Sequence, residues 1–365
     1  VQPLFQIDCL RVVMYPCLSH FHVREFSRTA RGLLANVACI LLIPLAFVLP
    51  AHADEPPVCA GKNLLAEMER SDPQALADLR KQAAETPNGK GIFWKIERTG
   101  VEPSYLLGTM HITDPRVVLT PEEAWAPFDH ADTIALELEN LEPMDIARAL
   151  LSRPELTMLT DGTSVKTLLN SEEVSRLEIA LKQRGIPLFA VAKMKPWMLL
   201  MHISLPACEK RRAAAGLAPL DLALIRIAQD LDKTVVGLET AVEQMEAMNA
   251  VDSAPLLRTV LQQLEADDKL DDMFATMTDM YLDGDTGMFI PLSYHVLGTT
   301  ASEDAGYADF MKYMITDRNI RMAERAAPLL DDGNAFIAVG AMHLIGEQGL
   351  VELFRKQGYT LTRLH

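Results

Sequence analysis

Between residues 92 and 110 the apolar positions follow strand-like patterns, and from about residue 141 they fall at helical spacing. Ile92 to Arg98 and Ser104 to Met110 read as two strands joined by a Thr-Gly turn. Thr133 to Glu139, Thr234 to Leu238, Phe336 to Val339 and Tyr359 to Leu364 read as four more. Helical stretches separate them. Asn63 to Glu85 is predicted helical with a break near Asp72-Pro73, and Pro87-Asn88-Gly89 is a loop. Thr120-Pro121-Glu122-Glu123 has the form of a capping box and predicts a short helix ending near Asp129. Asn170 with Glu173 predicts a helix that buries Val174, Leu177 and Leu181 and stops at Gly185. Further helices are expected over Leu220 to Leu231, in a block from about Ala254 to Leu330, and over Leu350 to Gln357, with Gly358 after its end. Strands separated by helices imply an α/β fold with a central mixed, mostly parallel sheet. Its active site is expected beyond the carboxyl ends of the strands.

The first 53 residues differ from the rest. Arg24, Arg28 and Arg31 precede an uncharged run from Gly32 to Leu49, and Ala51-His-Ala53 follows. This is the layout of a signal peptide, with Asp54 as the expected mature start and Met14 as a possible initiator. A transmembrane anchor is the alternative; Pro44, Pro50 and the cleavage site favour removal. Beyond Ala53 no uncharged stretch approaches the ~20 residues of a span, so membrane contact is expected only through the leader. The chain is thus divided into a leader (1–53), an N-terminal helical segment (54–90) and an α/β domain (91–365) with helical insertions at about 141–230 and 245–330. Export, to a bacterial periplasm or outside the cell, is the expected localisation.

Composition adds three constraints. With 49% hydrophobic and 23% charged residues the chain is globular rather than disordered. Lys and Arg number 34 against 50 Asp and Glu, with no basic run, which argues against a nucleic-acid partner. Loss of the leader leaves Cys59 and Cys208 of five cysteines, a candidate disulfide in an oxidising compartment; two buried thiols are the alternative. Cys59 follows Pro56-Pro57-Val58, which is no lipobox.

Six histidines remain after the leader, and two of them share one motif. Tyr105-Leu-Leu-Gly-Thr-Met-His111 echoes Ile337-Ala-Val-Gly-Ala-Met-His343, 232 positions on. Gly108 and Gly340 allow close backbone approach, and each His would project from a rigid strand end. Imidazoles bind divalent ions, and carboxylates complete such sites. Glu137, Glu139 and Glu239 lie at comparable strand ends, and alternation places Glu137 and Glu139 on one face. The chain has no His-Glu-x-x-His, Gly-x-Ser-x-Gly, phosphate loop or Gly-x-Gly-x-x-Gly. Asp283-Gly-Asp285-Thr-Gly287 reads as a turn rather than a calcium loop, and the methionines between Met245 and Met322 as helix core.

Gly108-Thr-Met-His111, Glu137, Gly237-Leu-Glu-Thr240 with Gln244, Arg318-Asn319, Gly340-Ala-Met-His343 and a late Gly358-Tyr-x-Leu resemble the TraB/PrgY/GumN family, which is related to the Tiki proteases. The likeness runs from about Cys59 to Leu364. It implies an α/β fold built from two similar halves. For the Tiki branch it implies a divalent-metal-dependent peptidase, with Mn or Co suspected; for the TraB and PrgY branch, handling of a short peptide. The reading that follows is a metal-dependent peptidase. His111, His343 and Glu137 would hold Mn, Co or Zn, with a water in an open position. Glu239 would be the general base, or a ligand with Glu137 as the base. Arg318 would stabilise an oxyanion, grip a substrate carboxylate, or form a structural ion pair with a glutamate. Gly108, Gly340 and Asn319 would be structural. The rival readings are a peptide-binding module without turnover and a hydrolase of another small molecule.

Overall fold

Asn63 caps the helix Leu64–Ser71, and Asp72 caps Pro73–Ala84, which has Pro at its first position. Each cap side chain accepts a backbone N–H of the first turn, so Asp72-Pro73 both ends one helix and starts the next. The computed structural model describes residues 59–365 apart from 120, 140–142 and 301–305. The leader, its cleavage point and the alternative start lie outside the described residues, as does Thr120. Pro121 precedes a single 3₁₀ turn, Glu122–Ala124, which has no side-chain cap and leads into the helix Trp125–His130.

Six strands form one mixed sheet: β1 (Phe93–Glu97), β2 (Ser104–Thr109), β3 (Thr133–Leu136), β4 (Thr234–Gly237), β5 (Ala335–Gly340) and β6 (Thr360–Arg363). Their order is β4-β3-β5-β2-β1-β6. The four strands β4, β3, β5 and β2 are mutually parallel, and β1 runs antiparallel between β2 and β6. β5 is buried along its whole length, as a central parallel strand with both faces covered should be. On one face Phe93, Leu107, Ile134 and Phe336 pack with residues of the Pro73–Ala84, Leu220–Asp230 and Leu270–Leu282 helices. On the other, Trp94, Leu106, Ile337 and Val339 pack with the Asp317–Asp332 and Leu350–Lys356 helices.

The two copies of the Gly-x-Met-His motif lie on neighbouring strands, one residue out of step. Gly108 stands opposite Val339, and Thr109 opposite Gly340. Equivalent residues therefore face opposite ways: Leu106 enters one core and its counterpart Ala338 the other. The copies share a place at the ends of neighbouring parallel strands, while their surroundings differ.

The helical insertions carry a core of their own. Leu177 and Leu181 of the Ser171–Gln183 helix pack with Leu257 and Val260 of Ser253–Glu265, and all four are fully buried. Each such side chain contributes ~1.5–3 kcal/mol. Asn170 and Glu173 form the expected capping box, and Gly185 ends the helix at φ 71°. The block before Asp317 is less regular than its sequence suggests, because Met311–Thr316 is a π-helical turn. Cys59 and Cys208 form a disulfide with Cα atoms 5.3 Å apart, tying the N-terminal segment to the Ala207–Ala214 helix. A native disulfide typically stabilises by ~2–4 kcal/mol.

Candidate metal centre

Four adjacent parallel strands each deliver one charged or imidazole side chain just beyond their carboxyl ends. In spatial order these are Glu239 after β4, Glu137 after β3, His343 after β5 and His111 after β2. Just past the strands, the Leu238 and Glu239 N–H groups donate to the carbonyls of Leu136 and Glu137. That fixes the relative height of the two glutamates.

Glu139 does not join them. Alternation predicted that it would share a face with Glu137, but β3 ends at Leu136 and the chain bends at Glu137. Glu139 is exposed while Glu137 is buried. The side chain pattern of a strand holds only while the strand lasts.

Glu137 is the centre of the arrangement. Its Oε1 accepts the Gly340 N–H at 2.7 Å and faces His343 Nε2 at 3.6 Å and His111 Nε2 at 4.0 Å. Its Oε2 accepts from Arg318 Nη2 at 2.6 Å and Gln244 Nε2 at 3.0 Å. Burial pushes its pKa up, but the two imidazoles, both cationic at the acid pH where it would titrate, with Arg318 and the Gly340 N–H, outweigh this and hold the carboxyl well below the usual carboxylate range. Gly340 gives the site its room. A Cβ there would lie 3.2 Å from Glu137 Oε1 and 3.3 Å from His111 Nε2. Gly108 answers a different demand, since a Cβ there would meet the Ala341 backbone at 3.0 Å.

Each imidazole is gripped by its other nitrogen. His343 Nδ1 lies 2.6 Å from Asn319 Oδ1, and Asn319 Nδ2 donates to the Gln348 carbonyl. The amide oxygen therefore accepts from Nδ1–H, which leaves the Nε2 lone pair of neutral His343 directed at Glu137. His111 Nδ1 lies 2.6 Å from Asp221 Oδ2. The two rings differ in setting: the His343 side chain is 5% exposed and that of His111 60%. Burial lowers the His343 pKa to about 4, against the pull of Glu137. The Asp221 carboxylate raises that of His111 to about 9, against the opposing effect of its partial desolvation.

Arg318 is buried, and its fork is committed. Nε donates to Glu239 Oε2 at 2.8 Å, Nη2 to Glu137, and Nη1 to the Met314 carbonyl. Of the roles considered for it, the geometry shows the ion pair. Glu239 is equally occupied, with Oε1 accepting from Arg321 at 2.8 Å and Oε2 from Arg318. Burial still pushes its pKa upward despite these arginines. His130, His202 and His295 stand exposed at the surface. Asp221 and Arg321 carried no signal in the sequence. Asp221 is 110 positions from His111, and as the second residue of the helix Leu220–Asp230 it reads as an ordinary first-turn acid.

Among the described residues no group of three His, Cys, Asp or Glu side chains is already gathered as a metal cage. At 3.6 and 4.0 Å the two imidazoles and Glu137 are a loose set rather than a closed one. Their chemistry nonetheless suits a divalent ion. The donor types are right, both Nδ1 atoms are engaged elsewhere, and Gly340 leaves space at the centre. The lone pair of neutral His343 also faces a carboxylate with no proton between them, an arrangement that a cation relieves.

The sequence model of the TraB/PrgY/gumN family matches residues 92–363. The chain is similar to Metalloprotease TIKI2 of Danio rerio, 25% identical over 316 residues that cover 73% of this chain and 60% of that protein. Metalloprotease TIKI1 of Danio rerio is 26% identical over 73% of this chain and 62% of its own length. Metalloprotease TIKI1 of Homo sapiens is 25% identical over 78% and 63% respectively. The matched region thus spans less than two thirds of these relatives. No solved structure matches the chain.

Proposed function

The chain belongs to the TraB/PrgY/gumN family, and on that premise we propose that it is an exported, metal-dependent hydrolase of peptides, with His111, His343 and Glu137 as the protein ligands of one divalent ion. The observation that carries this is the approach of two imidazole Nε2 atoms to a single carboxylate oxygen, each ring held by its Nδ1. The relatives' names as metalloproteases support a metal and a peptide or protein substrate. Mn, Co and Zn all suit two imidazoles and a carboxylate. When bound, such an ion supplies Lewis-acid activation of water and of a carbonyl oxygen.

The protein's own residues set the stage for that chemistry. Arg318 and Gln244 hold Glu137 Oε2, so Oε1 is the oxygen turned toward the imidazoles. Glu239, with an arginine on each oxygen, serves as the anchor that positions Arg318 rather than as a base. Glu137 is the glutamate within 4.0 Å of the imidazole nitrogens. The exposed side of His111 is the face open to substrate. The Cys59–Cys208 disulfide supports an oxidising compartment. Among the described residues no helix is long and apolar enough to cross a membrane.

The test is metal content of the purified mature protein, with cleavage of a peptide library measured before and after chelation. The expected result is one tightly bound divalent ion per chain and cleavage that chelation abolishes and the ion restores. A protein that takes up no divalent ion overturns the reading. One that binds ion and peptide without cleaving leaves only the peptide-capturing module.

A further inference from the structure

The helices between β3 and β4 bring a buried carboxylate into the centre. Asp221, buried in the first turn of the helix Leu220–Asp230, places Oδ2 2.6 Å from His111 Nδ1. Its Oδ1 accepts the Thr109 hydroxyl at 2.7 Å. Thr109 is the last residue of β2, so the carboxylate is itself fixed by the strand whose end it serves. Tyr281, on a second insertion helix, donates its hydroxyl to the Gly108 carbonyl at 2.8 Å, which fixes the preceding residue as well. The His111 side chain is 60% exposed, so burial holds its ring less than it holds that of His343. His343 has that support from burial and needs only the neutral amide of Asn319.

We propose that Asp221 is the positioning residue of the centre, aiming His111 Nε2 toward Glu137 and making the helical insertion a working part of the site. This rests on the metal reading above. A carboxylate on the far nitrogen fixes the ring and raises its basicity as a ligand. The positive end of the helix favours the charge where it stands. The two motifs are staggered by one residue, and their histidines take partners from different helices, Asn319 for His343 and Asp221 for His111.

The test uses the full chain and the variants Asp221→Ala, Asp221→Asn and Thr109→Val. In metal-free protein, nitrogen-edited NMR of the imidazoles should show a strongly hydrogen-bonded Nδ1 proton on His111. It should vanish in Asp221→Ala and persist in Asp221→Asn, whose amide oxygen can accept as Asn319 does for His343. Titration with Co²⁺ should show affinity falling ~10–100-fold in Asp221→Ala and less than ~10-fold in Asp221→Asn. Thr109→Val should cost about fivefold, as one hydrogen bond does. An unchanged Nδ1 proton and unchanged Co²⁺ affinity in Asp221→Ala overturn the proposal. If Asp221→Ala does not fold, equal Co²⁺ affinity of the wild type and both other variants, with an unaltered Nδ1 signal in Thr109→Val, overturns it instead. A wild type that binds no Co²⁺ defeats the metal reading, while the NMR signal still decides the contact.

Discussion

The ends of β2 and β5 carry the same four-residue motif, yet the protein builds two different things from it. At the end of β5 the imidazole is buried, neutral and held by an amide; at the end of β2 it is open to solvent and held by a carboxylate. The glycines diverge too. Gly340 keeps the centre clear, whereas Gly108 lets the second motif pack against the first. What the motif determines is where a histidine stands relative to its strand. What that histidine becomes is decided by helices more than 20 residues away in one case and 110 in the other.

The comparison can be broken most sharply at the imidazoles. His343→Ala and His111→Ala should each weaken divalent-ion binding by more than ~100-fold, more than loss of an outer partner does, and leave the circular dichroism spectrum unchanged. Full binding by either variant would show that the motifs do not share an ion. His130→Ala and His295→Ala are the controls and should bind as wild type does.

The glycines should separate function from stability. Gly340→Ala directs a methyl at Glu137 and His111, and we expect at least a tenfold loss of ion affinity by calorimetry with little change in melting temperature. Gly108→Ala presses on the Ala341 backbone and should cost ~1–3 kcal/mol of stability, read by denaturant unfolding. The reverse pattern would mean that the two glycines have been assigned the wrong way round.

Reduction of Cys59–Cys208 should lower stability by ~2–4 kcal/mol without removing the ion, since the bridge lies on the insertion and not among the ligands. Loss of the ion on reduction, in protein that stays folded, would tie the N-terminal segment directly to the centre.

Proton titration sharpens the contrast further. In metal-free protein His343 should titrate near 4 and His111 near 9, followed by imidazole NMR. The consequences for stability are opposite in sign. The lowered His343 pKa gives a contribution present above the unfolded value of ~6.5 and lost as pH falls toward 4. The raised His111 pKa gives one present below ~6.5 and lost as pH rises toward 9. Two histidines titrating together near 6.5 would erase the distinction.

Much of the frame was legible because it is local. The helix break at Asp72-Pro73, the cap at Asn170, the alternating strands and the glycine stops are settled by neighbours in the chain. His111 and His343 can be picked out because a repeated motif is a signal in one dimension, and Glu137 because it ends an apolar strand and matches the family pattern. Glu139 leaves the face of Glu137 because β3 stops at Leu136, short of its sequence pattern, and the close approach of Gly237 to the Glu139 backbone is a contact between strands far apart in the chain. Asp221 and Arg321 were invisible for a related reason. Their partners lie 110 and 82 positions away, and nothing near them in sequence records the pairing. The irregular π turn before Arg318 is likewise a product of three-dimensional packing.

The central claim is that two strand ends share one ion through Glu137. Crystals of the purified protein soaked in Co²⁺ and measured on both sides of the cobalt absorption edge test it directly. A single strong anomalous peak is expected within bonding distance, ~2.0–2.2 Å, of His111 Nε2, His343 Nε2 and a Glu137 oxygen. A peak held by only one of the two histidines, or none among these three residues, would contradict it.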